Sequence, residues 1–336
     1  MCTVLLFNLL PNPLEMSLPT ILVVGSLNTD LVTNTSRVPD AGETIQANSF
    51  STFNGGKGAN QAVACARLSR LKTAQGIITA PSAYVRMVGC VGNDDFGSSL
   101  KNSLKSDGID VEGVQVLDNV ATGVAVILVE STGENRILIT AGANGLCKPY
   151  PSCFSPAPAL LVLQLEIPLD TVLELLRLAS EASPPVATLL NPAPAIELPD
   201  DAYPKISHLV VNETEAAILG GEPVRIGSDV QMIEDCQRAS QKFVSKGVKG
   251  SIIITLGAKG AFWYDAQSGK NALVPSEKVK VVDTTAAGDT FIGAFAVKIV
   301  NGYDIAEAVA YAIRASAKTV TKQGAQSSIP WRDEVA

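Results

Sequence analysis

Histidine is almost missing from this sequence. His208 is the single histidine among 336 residues, and it stands beside a predicted strand. A Ser-His-Asp triad needs a histidine as its base, and histidine-rich metal sites need several. Both kinds of site are therefore nearly excluded, and we expect His208 to have a structural role.

Cysteine pairs, surplus basic charge and long apolar runs are missing as well. The six cysteines contain no CxxC pair and most lie in apolar segments, which indicates buried thiols in a reducing compartment. A net charge of −7 argues against a nucleic-acid surface. The apolar stretch 4–10 is too short to cross a membrane, and no later stretch is long enough. Neither a nucleic acid nor a membrane is an expected partner, and residues 1–19 are predicted to form a disordered extension.

The sequence does contain enough apolar material for one large domain. Apolar residues make up 46% of the chain and charged residues 18%, which is typical of a protein with a sizeable core. Strands and helices alternate from about residue 160 onward, which predicts an α/β fold with a mostly parallel sheet and helices on both faces. We expect this domain to cover residues 20–332. The segments 31–53 and 114–140 predict further strands, which would form a small β-sheet lid.

The most informative segment is 281–291, VVDTTAAGDTF, which joins a predicted strand at 279–282 to a predicted helix at 287–300. Its small residues, Ala286 to Gly288, leave the N–H groups of the first helical turn open to an anion. Asp289 lies in the same turn, where an ionised carboxylate suits a base that takes a proton from an alcohol attacking a phosphate. A carboxylate that merely caps a helix would explain the spacing equally well.

Polar residues also follow several other predicted strands. They form the clusters Asn28/Asp30, Glu166, Asn212/Glu215, 255–260 and 283–289. Because the carboxyl ends of parallel strands share one edge of a sheet, these clusters could line a single crevice. The segment 54–61, NGGKGANQ, adds polar groups at a helix N-terminus but is not a Walker A loop, and alone it could be a plain turn.

These segments resemble the signatures of the PfkB-type carbohydrate kinase family. NGGKGANQ is similar to the N-terminal signature, and DTTAAGDTF at 283–291 is similar to the C-terminal one. Four shorter segments match in order: GSLNTD at 25–30, LQLE at 163–166, NETE at 212–215 and KQGAQSSIPW at 322–331. The resemblance implies ATP-dependent phosphorylation of D-ribose at O5, giving D-ribose 5-phosphate and ADP.

The resemblance also assigns roles to individual residues. It makes Asp289 the base and gives the anion hole to Ala286, Ala287 and Gly288. The sugar contacts that it implies are Asn28, Thr29, Asp30, Gly56, Lys57, Gly58, Ala59, Asn60, Glu166 and Asp289. The nucleotide contacts that it implies are Asn212, Thr255, Leu256, Gly257, Ala258, Lys259, Gly260, Gly288, Asp289 and Ile313.

Two cations, a dimer and a location follow from the same resemblance. Mg²⁺ would accompany ATP and be organised by Glu215 through water. K⁺ would act as a monovalent activator, held largely by backbone carbonyls of Asp283, Thr285, Thr319, Lys322, Gly324 and Ser328. The β-lid would cover the sugar and pair two subunits as a homodimer. The expected location is the cytoplasm, with the nucleus as a second location.

Two alternatives stay open at this point. A kinase of the same family could act on fructose, adenosine or a related nucleoside, but Asn28, Asp30 and Glu166 favour a free sugar rich in hydroxyls. A non-catalytic sugar-binding regulator is the other alternative, and an intact Asp289 argues against it. Ile313 stands where relatives often carry a polar residue near the adenine, which leaves the nucleotide preference open. Residues 72–83 form a longer connection than the family usually has.

Overall fold

The computed structural model describes residues 18–335. Most of the predicted N-terminal extension, residues 1–17, lies outside them. The strands are β1 (Thr20–Val24), β2 (Asn28–Thr35), β3 (Ser49–Gly55), β4 (Tyr84–Gly92), β5 (Val114–Leu117), β6 (Gly123–Glu130), β7 (Asn135–Thr140), β8 (Leu160–Leu163), β9 (Ala187–Leu190), β10 (His208–Asn212), β11 (Ser251–Thr255), β12 (Ala261–Asp265) and β13 (Asn271–Val274). The α-helices are α1 (Lys57–Leu68), α2 (Asp95–Ser106), α3 (Leu169–Glu181), α4 (Glu213–Gly220), α5 (Asp229–Lys246), α6 (Ala287–Val300) and α7 (Ile305–Thr319).

Nine strands form the main sheet, in the order β13-β12-β11-β10-β9-β8-β1-β4-β5. The pairs from β11 to β5 are parallel, β12 pairs antiparallel with β11, and β13 pairs antiparallel with β12. Its central strands are buried and largely apolar, as LLVL in β8 and the three isoleucines of β11 show, which is expected for a parallel sheet covered on both faces. One core packs α1, α6 and α7 on one face, and a second packs α3 and α5 on the other. The predicted α/β fold is confirmed.

A separate four-stranded sheet, in the order β3-β2-β6-β7, forms the lid. The central pair β2–β6 is parallel, and the outer pairs β2–β3 and β6–β7 are antiparallel. The lid continues directly from the main sheet because β2 begins four residues after β1 ends. Residues at the start of β2 therefore stand where the two sheets meet.

Two strand predictions were wrong. Val114–Leu117 was assigned to the lid, but it pairs with β4 at the edge of the main sheet, where Val114 is buried in the core. Residues 279–282 were predicted as a strand, but the chain there is irregular. Val281 and Val282 are 58% and 57% exposed. The Val282 N–H donates to the Val320 carbonyl just after α7 and not to another strand.

Helices α1 and α6 lie unusually close together. A Cβ added at Gly293 would come within 2.3 Å of Ala64 Cβ and 2.7 Å of the backbone nitrogen of Cys65. Because Asn60 and Ala64 on α1 face Asp289 and Gly293 on α6, one turn apart in each case, the helices run side by side in the same direction. Their N-termini therefore meet at one place.

The expected structural roles of the cysteines and of His208 agree with the packing. Five free cysteines are buried: Cys65, Cys90, Cys147, Cys153 and Cys236. His208 Nδ1 lies 2.8 Å from Ser251 Oγ, and its ring packs edge-on against Phe295. Burial lowers the pKa of His208 to about 4, so the ring is neutral at physiological pH. None of the helices between residues 18 and 335 combines the length and apolar composition that a membrane crossing needs.

Candidate active site

The polar clusters predicted at the strand ends meet where the main sheet, α1 and α6 converge. A cavity of about 210 Å³ opens there. Its polar and small lining residues include Lys57, Asn212, Glu215, Thr255, Gly288 and Asp289. The predicted base, the predicted sugar contact Lys57 and part of the predicted nucleotide site are thus brought into one cavity.

The first turn of α6 is shaped as an anion site. Ala286 precedes the helix in the left-handed conformation, at φ 60° and ψ 8°, which costs a residue with a Cβ about 1–2 kcal/mol. The Ala287 N–H points back to the Thr284 carbonyl at 3.3 Å. Among the described residues, the N–H groups of Gly288 and Asp289 donate to no protein acceptor. An added Cβ at Gly288 would meet nothing within 4 Å, so this turn faces open space.

Asp289 is only 7% exposed and is held by α1. Its Oδ2 accepts a hydrogen bond from Asn60 Nδ2 at 3.0 Å, and its Oδ1 accepts one from Gln61 Nε2 at 3.0 Å. Side-chain amides thus donate to both carboxylate oxygens and fix the position of the side chain.

The sugar side of the site is built from β1, β2, α1 and the end of β8. Glu166 accepts hydrogen bonds from the Lys57 N–H at 3.0 Å and from Ser26 Oγ at 2.6 Å. Asn28 Oδ1 accepts from Asn144 Nδ2 at 2.8 Å, so the amino group of Asn28 is left for a ligand. Two further predicted contacts, Thr29 and Asn60, are buried, and Thr29 Oγ1 and Asn60 Oδ1 have no partner in the described part of the chain.

Gly56 and Gly58 let the start of α1 approach the end of β1. Gly56 has φ 89°, in the left-handed region that favours glycine. A Cβ at Gly58 would lie 2.6 Å from backbone atoms of Gly25 and Ser26. The next predicted contact, Ala59, donates its N–H to the Ser26 carbonyl at 2.9 Å. The glycines of this segment therefore position the polar side chains around them.

Charges in the site are strongly coupled. Burial, together with the nearby carboxylates of Glu166 and Asp289, raises the pKa of Asp30 to about 7. Burial acts against the charge of Lys57, but Asp289, Glu166 and Glu215 outweigh it and raise the pKa of the ammonium. The Asp30 carboxylate accepts no hydrogen bond from residues 18–335. Lys57 thus offsets the negative charge of the surrounding carboxylates of Asp289, Glu166 and Glu215.

Replacing Asp30 by asparagine should stabilise the folded protein increasingly as the pH rises. The folded pKa of about 7 lies above the ordinary value of 3.8, so the unfolded chain loses this proton at lower pH than the folded protein does. The contribution of Asp30 to stability is therefore present below the unfolded value and is lost as pH rises toward the folded one. Calorimetry should show the Tm advantage of Asp30→Asn growing from about pH 4 to about pH 8. An advantage independent of pH would contradict this assignment.

The nucleotide side is formed by the ends of β10 and β11. Asn212 and Glu215 form a reciprocal capping box at the start of α4, which uses one oxygen of the Glu215 carboxylate and leaves the other free. Burial raises the pKa of Glu215, partly offset by the Asn212 N–H and by Lys57. Within 257–260, Gly257, Ala258 and Lys259 are exposed, and Lys259 forms an ion pair with Asp229 at 3.1 Å.

Two predicted nucleotide residues lie in the core instead of on the cavity wall. Leu256 is 3% exposed and Ile313 is 6% exposed, and each packs within a hydrophobic cluster. Neither lines the cavity, so their contact with a nucleotide stays a prediction.

The segments predicted to hold K⁺ are tied together by Asp283. Its Oδ1 accepts from the N–H and hydroxyl of Thr285 at 2.9 and 2.7 Å, and its Oδ2 accepts from the Gly324 N–H at 2.9 Å. Although burial opposes it, these donors lower the pKa of Asp283. The Lys322 ammonium bonds to Glu334 instead, so only its carbonyl could face an ion. The two other predicted ligands, Thr319 and Ser328, are fully buried.

Four site residues were missed in the sequence. Gln61, Gln164 and Asn191 form an amide network behind Asp289, and Asn144 orients Asn28. Gln61 lies inside the NGGKGANQ segment, and Gln164 and Asn191 each directly follow a strand, so the rule applied to the other strand ends would have found them. Asn144 has no comparable signal, because it sits in a short 3₁₀ turn at Gly142–Leu146.

Comparison with known proteins agrees with this geometry. Residues 18–332 match the model of the pfkB family carbohydrate kinases. The chain is 46% identical over 317 residues to a ribokinase of Schizosaccharomyces pombe, covering 92% of this chain and 94% of that protein. It is 37% identical over 315 residues to a deoxyribokinase of Salmonella typhi, covering 92% and 95%. The Arabidopsis thaliana ribokinase complexed with ribose and ATP superposes with a TM-score of 0.81 at 32% identity, covering 95% of this chain and 98% of that one. The chain therefore belongs to the pfkB family of carbohydrate kinases.

Proposed function

We propose that this protein is a ribokinase, which transfers the γ-phosphoryl group of ATP to O5 of D-ribose. The observation that carries the proposal is the position of Asp289. Its carboxylate sits in the same turn as two N–H groups that have no acceptor among residues 18–335, in the wall of a cavity also lined by Lys57 and Glu215. This juxtaposition is suited to a reaction in which a hydroxyl loses a proton while negative charge develops on a phosphoryl group.

The proposed reaction uses a small number of groups. Asn28, Asp30 and Glu166 bind the sugar hydroxyls and bring O5 to Asp289. The Asp289 carboxylate takes the proton of that hydroxyl as O5 bonds to the γ-phosphorus and the bond to the ADP oxygen breaks. The N–H groups of Gly288 and Asp289 stabilise the charge on the transferring phosphoryl oxygens. The lid formed by β2, β3, β6 and β7 would exclude water, so that ATP is not hydrolysed.

The residues present fit the two cations that were expected. Glu215 lines the cavity and has one carboxylate oxygen outside the capping box, which could organise Mg²⁺ through water; Mg²⁺ would neutralise phosphate charge when ATP is bound. Asp283 holds the 283–285 segment against Gly324, which gathers oxygen ligands suited to K⁺ beside the anion turn. Both amide atoms of buried Gln326, in this same loop, lack a partner among residues 18–335. In the proposed enzyme, K⁺ held there would stabilise the conformation of the anion turn at the start of α6.

Ribose is the favoured acceptor because the most identical of the relatives described above is a ribokinase, at 46%. The deoxyribokinase at 37% makes 2-deoxyribose the second candidate. Release of ADP should be measured with ribose in K⁺ and in Na⁺ buffers at constant Mg²⁺. We expect turnover with ribose and faster turnover in K⁺. Absence of turnover in both buffers would reject ribose as the acceptor, and equal rates would reject the K⁺ site alone.

Replacing Gly288 by alanine should impair catalysis without harming the fold. A Cβ there meets no protein atom within 4 Å, and alanine favours a helix by about 0.5–1 kcal/mol over glycine. The new methyl group would instead occupy the space proposed for the transferring phosphoryl group. We expect an unchanged or higher Tm together with a large fall in kcat/KM for ATP. A variant that is both stable and fully active would contradict the anion hole.

The lid supports a homodimer as part of the proposal. Its outer strands expose the apolar side chains of Phe50, Ile137, Leu138 and Ile139, and a second subunit could cover this surface. We further propose a cytoplasmic location, with the nucleus as a second location, because the described cysteines are free and buried, as reduced thiols in the cytoplasm are.

A further inference from the structure

The amide network behind Asp289 begins at Gln61. Gln61 and Asn60 are neighbours on α1, and both donate to the Asp289 carboxylate. Their surroundings differ, however. Asn60 keeps an unpartnered Oδ1, as a residue that contacts a ligand would. Gln61 is completely buried, so it lies behind the carboxylate and away from the substrates.

The orientation of the Gln61 amide is fixed by two further amides. Gln61 Oε1 accepts a hydrogen bond from Gln164 Nε2 at 2.6 Å, and Gln61 Nε2 lies 3.3 Å from Asn191 Oδ1. Asn191 is itself fixed, because its Nδ2 donates to the Val210 carbonyl at 3.1 Å. A flipped Gln61 amide would place oxygen against oxygen at Asp289 and at Asn191, and would face Gln164 Nε2 with a second donor. Gln61 can therefore only present its N–H to Asp289.

The position of this amide network lowers the stability of the folded protein. Gln164 is completely buried, and its Oε1 has no partner within the described chain. An unpaired buried acceptor destabilises the folded protein. The side chain also needs Gly25, because a Cβ there would lie 1.9 Å from Gln164 Oε1. Such a cost is expected where a functional constraint outweighs stability.

We infer that Gln61, held by Gln164 and Asn191, is the positioning residue for the Asp289 base. It occupies Oδ1 and fixes the rotation of the carboxylate. The lone pairs not used by Asn60 and Gln61 are then directed at the sugar hydroxyl. The inference rests on the proposed base role of Asp289.

Two substitutions at Gln61 test the inference. In Gln61→Leu the carboxylate loses its support, and misplacement of a reacting group by about 1 Å can cost ~10²-fold in rate. We expect a fall of this order in kcat, with the KM for ribose changed only a few-fold. In Gln61→Glu the shape is kept but a second carboxylate faces Asp289, which raises the pKa of the base. The acid limb of the kcat/KM profile should move to higher pH by about one unit or more.

Gln237 provides the matched control. It lies on α5, away from the site, and its Nε2 donates to Asn271 Oδ1 at 3.0 Å. Gln237→Leu and Gln237→Glu should leave both kcat and the acid limb unchanged. If Gln61→Leu does not fold, the isosteric Gln61→Glu still decides the question. Gln61 variants with normal kcat and a normal acid limb, or with a raised KM alone, would overturn the positioning role. If the Gln61 variants behave normally while Asp289→Asn is inactive, the positioning role of Gln61 is rejected and the base role of Asp289 stands.

Discussion

Asp289→Asn is expected to lower kcat by about 10²–10⁴-fold, the usual contribution of a positioned general base. The change keeps the shape of the side chain and removes its ability to accept the proton of O5. The new amide nitrogen cannot accept a hydrogen bond from Asn60 or Gln61, so a modest loss of stability is also expected. Ribose should still bind, because Asn28, Asp30 and Glu166 are untouched. Rapid-mixing or steady-state kinetics give kcat, and calorimetric titration gives the affinity for ribose.

Asp304→Asn is the matched control for this substitution. Asp304 caps α7 by accepting from the Glu307 N–H at 2.8 Å, and asparagine caps helices about as well as aspartate. The same loss of a carboxylate therefore occurs on the surface, without consequence for kcat. An Asp289→Asn enzyme with kcat close to that of Asp304→Asn would show that Asp289 is not the base.

Gly293→Val should strongly destabilise the protein and abolish most activity. Its Cβ would lie 2.3 Å from Ala64 Cβ and 2.7 Å from the Cys65 backbone nitrogen. A backbone atom cannot rotate away, so α1 and α6 must separate. Overpacking of this kind costs about 1–3 kcal/mol or more, a large share of the roughly 5–15 kcal/mol that stabilises a typical domain. Separation would also withdraw Asn60 and Gln61 from Asp289.

Gly227→Val supplies the comparison for stability. Gly227 precedes α5, and a Cβ there would meet nothing within 4 Å. Urea unfolding and residual activity should be measured for both variants. We expect Gly227→Val to behave like the parent protein and Gly293→Val to unfold at much lower urea. Equal unfolding midpoints would show that the close contact of α1 and α6 is not needed.

The layered fold could be predicted because its signals are local. Continuous apolar runs such as 160–163 and 251–254 can only be buried strands of a covered sheet, and Asp94 caps α2 through the Gly97 N–H as its position suggests. Strand partners are not local. Val114–Leu117 is too short to specify its sheet, and Val281 and Val282 look like a strand although the Val282 N–H bonds to the residue after α7.

The site was predictable to the extent that its residues follow strands or lie in the two signature segments. Asp289, Asn60 and Lys57 fall into this group. The pKa of Asp30 could not be predicted, because it depends first on the burial of the side chain and then on how closely Glu166 and Asp289 approach from distant parts of the chain. Nor could the partner of Asn28 be predicted, since Asn144 is 116 residues away and follows no pattern.

The most direct test of the proposed function is a competition between acceptors with ATP limiting. Ribose, 2-deoxyribose, fructose and adenosine should be supplied together at equal concentration with Mg²⁺ and K⁺, and the phosphorylated products identified by phosphorus and carbon NMR. The predicted result is D-ribose 5-phosphate as the main product, with phosphorus coupled to carbon 5. A different main product, or ATP left unconsumed, would contradict it.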